Sequence, residues 1–106
     1  MEQRQVIERI AELGRQIIPE GASLWLYGSR ARGDARSDSD YDLLILLDKD
    51  KITMQDRDYS CHFFMNGLNF GSEVNAHTYT KSVWSMWSCA PFNQNVEEDK
   101  VVLIRI

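Results

Sequence analysis

Asp40 and Asp42 stand at the mouth of the apolar run Leu43-Leu44-Ile45-Leu46-Leu47, and Gly28-Ser29 precedes them with ten residues between. In a strand the two-residue repeat turns both carboxylates to one face. Two such charges at the end of an apolar strand repel, and desolvation adds to the cost of ionising both, so a cation is their natural complement. Magnesium held between carboxylates and the phosphates of a substrate is one such complement. The Gly-Ser turn offers the other half of that chemistry. Glycine lets backbone N–H groups come close to a phosphate, and a serine opening a helix adds a hydroxyl and a favourable dipole. Context decides here, because Asp-x-Asp occurs four times, at 38/40, 40/42, 48/50 and 56/58. Only the 40/42 pair lies between a Gly-Ser turn and a buried run; Asp48/Asp50 reads as a strand exit and Asp56/Asp58 as an exposed helix face.

The elements that must position these groups follow from hydrophobic spacing. Val6, Ile7, Ile10, Leu13, Gly14, Ile17 and Ile18 recur at three and four residues, which predicts an amphipathic helix over 3–18, stopped by Pro19 and Gly21. Residues 23–27 read as a short buried strand ending at Gly28. Residues 29–39 are polar and predict a helical turn followed by a loop, and 41–47 reads as a central strand. The spacing of Met54, Cys61, Phe64, Met65 and Leu68 predicts a second long helix from about Thr53 to Gly67 or Gly71. Residues 73–79 alternate, with Glu73, Asn75, His77 and Tyr79 on one face against Val74, Ala76 and Thr78 on the other. Thr80 could cap a further helix to about Cys89, with Val83, Trp84 and Trp87 packing and Pro91 breaking it. Residues 101–106 read as a last strand. This order predicts one domain over 1–106, an α/β (α+β) fold with a mixed sheet of about four strands against helices.

Composition narrows the partners. A net charge of −4 over 106 residues argues against a basic groove for non-specific DNA binding, though Arg30, Arg32 and Arg36 could meet a small polyanion or hold the loop. No apolar run approaches a membrane span, and the N-terminus has no signal-like region, so a cytoplasmic location is expected. Cys61 and Cys89 form no CxxC pair and read as buried thiols, and His62 and His77 fit no zinc pattern.

The chain contains neither a P-loop nor G-x-G-x-x-G. Asp38 to Lys49 begins like a calcium loop, but Leu43 and Lys49 replace the required Gly and Glu. Gly28-Ser29-Arg30-Ala31-Arg32-Gly33 followed by Ser37-Asp38-Ser39-Asp40-Tyr41-Asp42-Leu43 instead resembles the signature of the DNA polymerase β-type nucleotidyltransferase superfamily, and within it the small stand-alone minimal nucleotidyltransferases. The resemblance is specific over residues 24–47. It implies that Gly28 and Ser29, with Arg30 and Arg32 beside them, bind a nucleoside triphosphate, ATP by expectation. It implies that Asp40 and Asp42 bind Mg²⁺ in a two-metal site, completed by a third carboxylate on a neighbouring strand. Glu73 is the one carboxylate of the 73–79 strand and is assigned that catalytic and metal-binding place; a shift of two residues would put Asn75 there. The implied reaction is transfer of a nucleoside monophosphate to an acceptor hydroxyl. The implied partner is a small helical protein of the HEPN type, in a toxin–antitoxin pair, and homodimerisation is left open. The alternative is a nucleotide- and partner-binding module that acts by masking its partner.

Overall fold

The computed structural model describes Met1–Arg105. Helix α1 (Gln3–Ile17) is begun by Gln5, whose Oε1 accepts from the Glu2 N–H at 2.9 Å, and it buries Val6, Ile10 and Gly14 at four-residue intervals. It stops where Pro19 follows Ile18. Strands β1 (Ser23–Tyr27), β2 (Tyr41–Leu47), β3 (Val74–Thr80) and β4 (Val101–Ile104) form one mixed sheet in the order β3-β2-β1-β4. β1 is antiparallel to β2 and β4, and β2 is parallel to β3.

Both faces of the sheet are covered, which explains why β2 is apolar on every residue past Asp42. On one face Leu24, Leu26, Leu43, Ile45, Leu47 and Val74 meet α1 and Phe63 of helix α3 (Asp58–Asn69). On the other, Trp25, Leu44 and Leu46 meet Trp84 of helix α4 (Lys81–Met86) and Val96 of helix α5 (Pro91–Asp99). A single-turn helix, α2 (Ser29–Arg32), follows β1. Among the described residues no helix is long and apolar enough to cross a membrane.

The sequence expectations hold for the four strands and for α1, and the last strand is described to Ile104, Ile106 lying outside the described residues. Other expectations are corrected. α3 begins at Asp58 and not near Thr53, and its buried stripe is Phe63 and Gly67, so Met54, Cys61, Phe64, Met65 and Leu68 face outward. Gly67 is the reason: a Cβ there would lie 2.6 Å from Val74 Cγ2 and 2.8 Å from the Ser72 carbonyl, so the helix seats its glycine, not its largest side chains, against β3. Asp56 is buried and not on an exposed helix face, and both cysteines are exposed. Thr80 does cap α4, its Oγ1 accepting from Val83 N at 3.1 Å, but Val83 and Trp87 are exposed and only Trp84 is buried. Pro91 opens α5 at its first turn, where a missing N–H costs nothing, instead of ending a helix.

Asp56 organises the turn before α3. Desolvation works to raise its carboxyl, but hydrogen bonds from Lys49 Nζ at 2.7 Å and from Thr53 N and Oγ1 at 2.8 and 3.0 Å outweigh it and hold the carboxyl below its usual range. A lowered folded-state value contributes stability above the unfolded value and loses it as pH falls through the folded one. Asp56→Asn is therefore expected to cost about 1.5–3 kcal/mol at neutral pH by urea denaturation. The difference from the wild type should shrink as the pH is taken below about 4.

Candidate active site

β1 ends at Tyr27, and the chain turns at Gly28 with φ 77° and ψ −159°, a conformation open essentially to glycine alone. The β1–β2 register places Tyr27 opposite Asp42. A Cβ on Gly28 would stand 2.7 Å from Asp42 Oδ2, so the absent side chain is what admits this carboxylate to the turn. Ala31 and Arg32 donate to the Gly28 carbonyl at 3.0 Å, and Ser29 opens α2. α2 is a single turn, so its dipole is small, and attraction for an anion rests on the turn's own N–H and hydroxyl donors.

The acids arrive from two parallel strands. Asp42 is half-buried within β2, and Asp40 is exposed just ahead of it. On β3 the register partner of Asp42 is Asn75, and the Glu73 carbonyl accepts from Tyr41 N at 2.9 Å, one step before the strand. Asn75 Nδ2 donates to Asp40 Oδ2 at 3.3 Å and to Glu73 Oε2 at 3.1 Å. Glu73, Asn75, Asp40 and Asp42 thus meet at one end of the sheet, with His77 next along the same face. Among the described residues no group of three or more His, Cys, Asp or Glu side chains is placed to hold a metal ion as it stands.

Desolvation and repulsion between the acids together outweigh the positive charge near them. Asp40 is held above the usual carboxylate range by local desolvation, by a hydrogen bond shared with Glu73, and by repulsion from Glu73, Asp42 and Asp38. Asp42 is raised too, first by desolvation and then by Glu73, with His77 opposing. Beside it, burial, Asp42 and Tyr79 push the Tyr27 hydroxyl up to about 12, so it remains a neutral donor. This donor set fits a hard divalent cation, which takes carboxylate oxygens and relieves the repulsion between them.

The arginines are found holding the loop. Arg30 donates to the Ser39 carbonyl at 2.8 and 3.2 Å and the Ser37 carbonyl at 3.2 Å, reaches Gln3 Oε1 at 3.2 Å, and lies 4.4 Å over the Tyr41 ring. It fixes the segment that delivers Asp40. Arg32 pairs with Asp99 at 2.7 Å and Asp34 at 3.2 Å, tying α2 to α5. Sequence reading overlooked α5 altogether, and with it Phe92, whose ring packs edge-on against Tyr27 at 5.7 Å. Its signal was the Pro91 start, read there as a stop.

A comparison with protein families matches residues 4–104 to the family described as "nucleotidyltransferase domain". The chain belongs to that family. Its fold recurs in solved structures at low identity. A toxin–antitoxin complex with AMP-PNP contains a chain 17% identical, with a TM-score of 0.64, covering 94% of this chain and 73% of that one. A Shewanella oneidensis complex, a tri-AMPylated HEPN toxin with an MNT antitoxin, aligns at 16% identity and a TM-score of 0.61, covering 99% of this chain and 74% of that one. A proposed nucleotidyltransferase from Sulfolobus solfataricus aligns at 21% and 0.59, covering 94% and 80%. No functionally curated protein matches at the sequence level. Within the nucleotidyltransferase domain, Gly28, Ser29, Asp40, Asp42 and Glu73 stand together at one end of the sheet.

Two separable constraints act at Gly28, its backbone conformation and the Asp42 contact. Gly28→Ala should cost ~2 kcal/mol or more in equilibrium unfolding. In an Asp42→Ala background the steric part should vanish and leave a smaller cost from the backbone alone. A double-mutant cycle showing strict additivity would contradict the close contact.

Proposed function

We propose that this nucleotidyltransferase domain transfers AMP from ATP, with Mg²⁺, to a hydroxyl on a HEPN-type partner protein. The observation that carries the reading is the acid pair seated against a glycine turn: Asp42 fills the space a Gly28 side chain would occupy, and Asp40 and Asp42 are both raised by desolvation and by Glu73, with only His77 opposing at Asp42. The choice of AMP and of the partner draws on the fold-level relatives, one in complex with AMP-PNP and one containing a tri-AMPylated HEPN toxin.

In this reading Gly28 and Ser29 bind the triphosphate through backbone N–H groups and the serine hydroxyl. Arg32 supports it from the side, since its exposed pairs with Asp34 and Asp99 are individually weak and can be exchanged. Asp40, Asp42 and Glu73 would hold magnesium, which when bound supplies charge neutralisation of the triphosphate and acidifies the acceptor hydroxyl. The acceptor oxygen attacks the α-phosphorus in line, an O–P bond forms, the bond to pyrophosphate breaks, and Glu73 takes the acceptor's proton. Arg30 and Asn75 keep Asp40 in place for this, from the loop side and from β3.

A second reading, a nucleotide- and partner-binding module, is favoured by one observation: the residue of β3 in register with Asp42 is the amide Asn75 and not an acid. Incubation with α-labelled ATP, Mg²⁺ and a co-expressed HEPN-type protein separates the two. The enzyme reading expects label on the partner, reduced at least ~100-fold by Asp42→Asn, as expected for removing a group that stabilises developing charge. Undiminished labelling by that variant would rule out the site. ATP binding without any label transfer would favour the binding module, and in that case Asn75→Asp should restore transfer.

A further inference from the structure

Helix α5 departs from local preference where it meets the Gly28 turn. It ends on Glu97-Glu98-Asp99, three acids at the end of a helix whose dipole favours cations, and its last turn carries no basic residue. Such departures collect where another demand is being met. The core accounts for Glu97, which accepts from Trp84 Nε1 at 2.8 Å and from Lys100 Nζ at 2.7 Å. Asp99 has one side-chain partner among the described residues, the Arg32 guanidinium at 2.7 Å. Its own side chain is 17% exposed, against 47% for Arg32. α5 thereby grips the turn from both ends. Phe92 packs on Tyr27, the residue before Gly28, and Asp99 holds Arg32, the last residue of α2. Arg32 N donates to the Gly28 carbonyl at 3.0 Å, so this side chain starts beside the turn. The other guanidinium of α2 is committed: Arg30 is bound to the Ser37 and Ser39 carbonyls and Gln3 and lies over Tyr41. Arg32 is left as the cation on α2 that can change partners.

We infer that Asp99 is a positioning residue that competes with the triphosphate for Arg32. It holds the guanidinium on α5, and an arriving triphosphate must draw it from there, which frees the end of that helix. This rests on the reading of Gly28 and Ser29 as triphosphate-binding. The physical balance favours such an exchange. An exposed ion pair is weak, whereas a triphosphate offers several charged oxygens to the same planar fork. Until the exchange is made, the apparent affinity is lowered by the fraction of Arg32 held on Asp99. The coupling is reciprocal, so what Asp99 takes from triphosphate binding, the bound triphosphate takes from the Arg32–Asp99 contact. Asp34, the second partner of Arg32, lies on the loop just after α2 and is 63% exposed, so its pair does not tie the guanidinium to α5.

Calorimetric titration of inorganic tripolyphosphate with Mg²⁺ into the whole chain tests this without a base or an acceptor. Asp99→Asn is expected to tighten binding about threefold or more, because the competitor is gone. Arg32→Gln should weaken it, and Asp99→Asn added to Arg32→Gln should then give no gain. A tightening that persists in full without Arg32 is general relief of negative charge and overturns the inference. So does an Asp99→Asn protein that binds no better than wild type. A wild type that binds no tripolyphosphate contradicts the proposed function as well, which keeps the two failures apart. Should Asp99→Asn fail to fold, nuclear magnetic resonance on the wild type decides. The Arg32 Nε–H and Asp99 carboxyl resonances should both move as tripolyphosphate saturates the protein, and an Asp99 carboxyl that stays in place overturns the inference.

Discussion

The site depends on the register between β1 and β2. That antiparallel pairing sets Asp42 opposite Tyr27, and the residue after Tyr27 is the one place in the turn where a side chain would collide with the carboxylate. Glycine there serves two ends at once: it adopts a backbone conformation closed to other residues, and it leaves room for Asp42 Oδ2. A slip of one residue in this pairing would turn Asp42 into the α1/α3 core and Leu43 toward the solvent. What opposes that slip is the cost of pushing an unpaired carboxylate into the α1/α3 core. The core therefore holds the acid in place.

Parallel pairing of β2 with β3 adds the second constraint. It brings Glu73 and Asn75 to the same end as Asp40 and Asp42, on the face they share. In the resulting cluster one amide joins two of the three carboxylates, Asp40 and Glu73, and the guanidiniums of Arg30 and Arg32 are occupied by loop carbonyls and by Asp34 and Asp99. Electrostatically it is incomplete, and the raised carboxyls of Asp40 and Asp42 record that. Perturbed carboxyls concentrated at one end of a sheet, instead of neutralised internally, are the pattern a functional site displays.

Much of this was legible in the sequence because it rests on short-range patterns. The Leu-Ile run after Asp42 could be a central strand and little else, and the alternation at 73–79 correctly placed Glu73, Asn75 and His77 on one face. What could not be read was the strand register, which decides that Asn75 and not Glu73 faces Asp42. Periodicity failed where a small or polar residue does the packing. Gly67 docks α3 and hides a stripe that looked apolar elsewhere, and α5 is a polar helix that buries Asn93 and Val96. Asp56 looked like surface charge because its partners, Lys49 and Thr53, become its cage only in the folded turn.

The proposed function requires that the acid cluster at the Gly28 turn take up a divalent cation together with a nucleotide. Titration of Mn²⁺ followed by electron paramagnetic resonance, with and without a non-hydrolysable ATP analogue, tests it most directly. The account predicts Mn²⁺ binding that tightens with the analogue and weakens about tenfold or more in Asp40→Asn and in Asp42→Asn protein. Equal Mn²⁺ binding by wild type and both variants, with the analogue present, would contradict it.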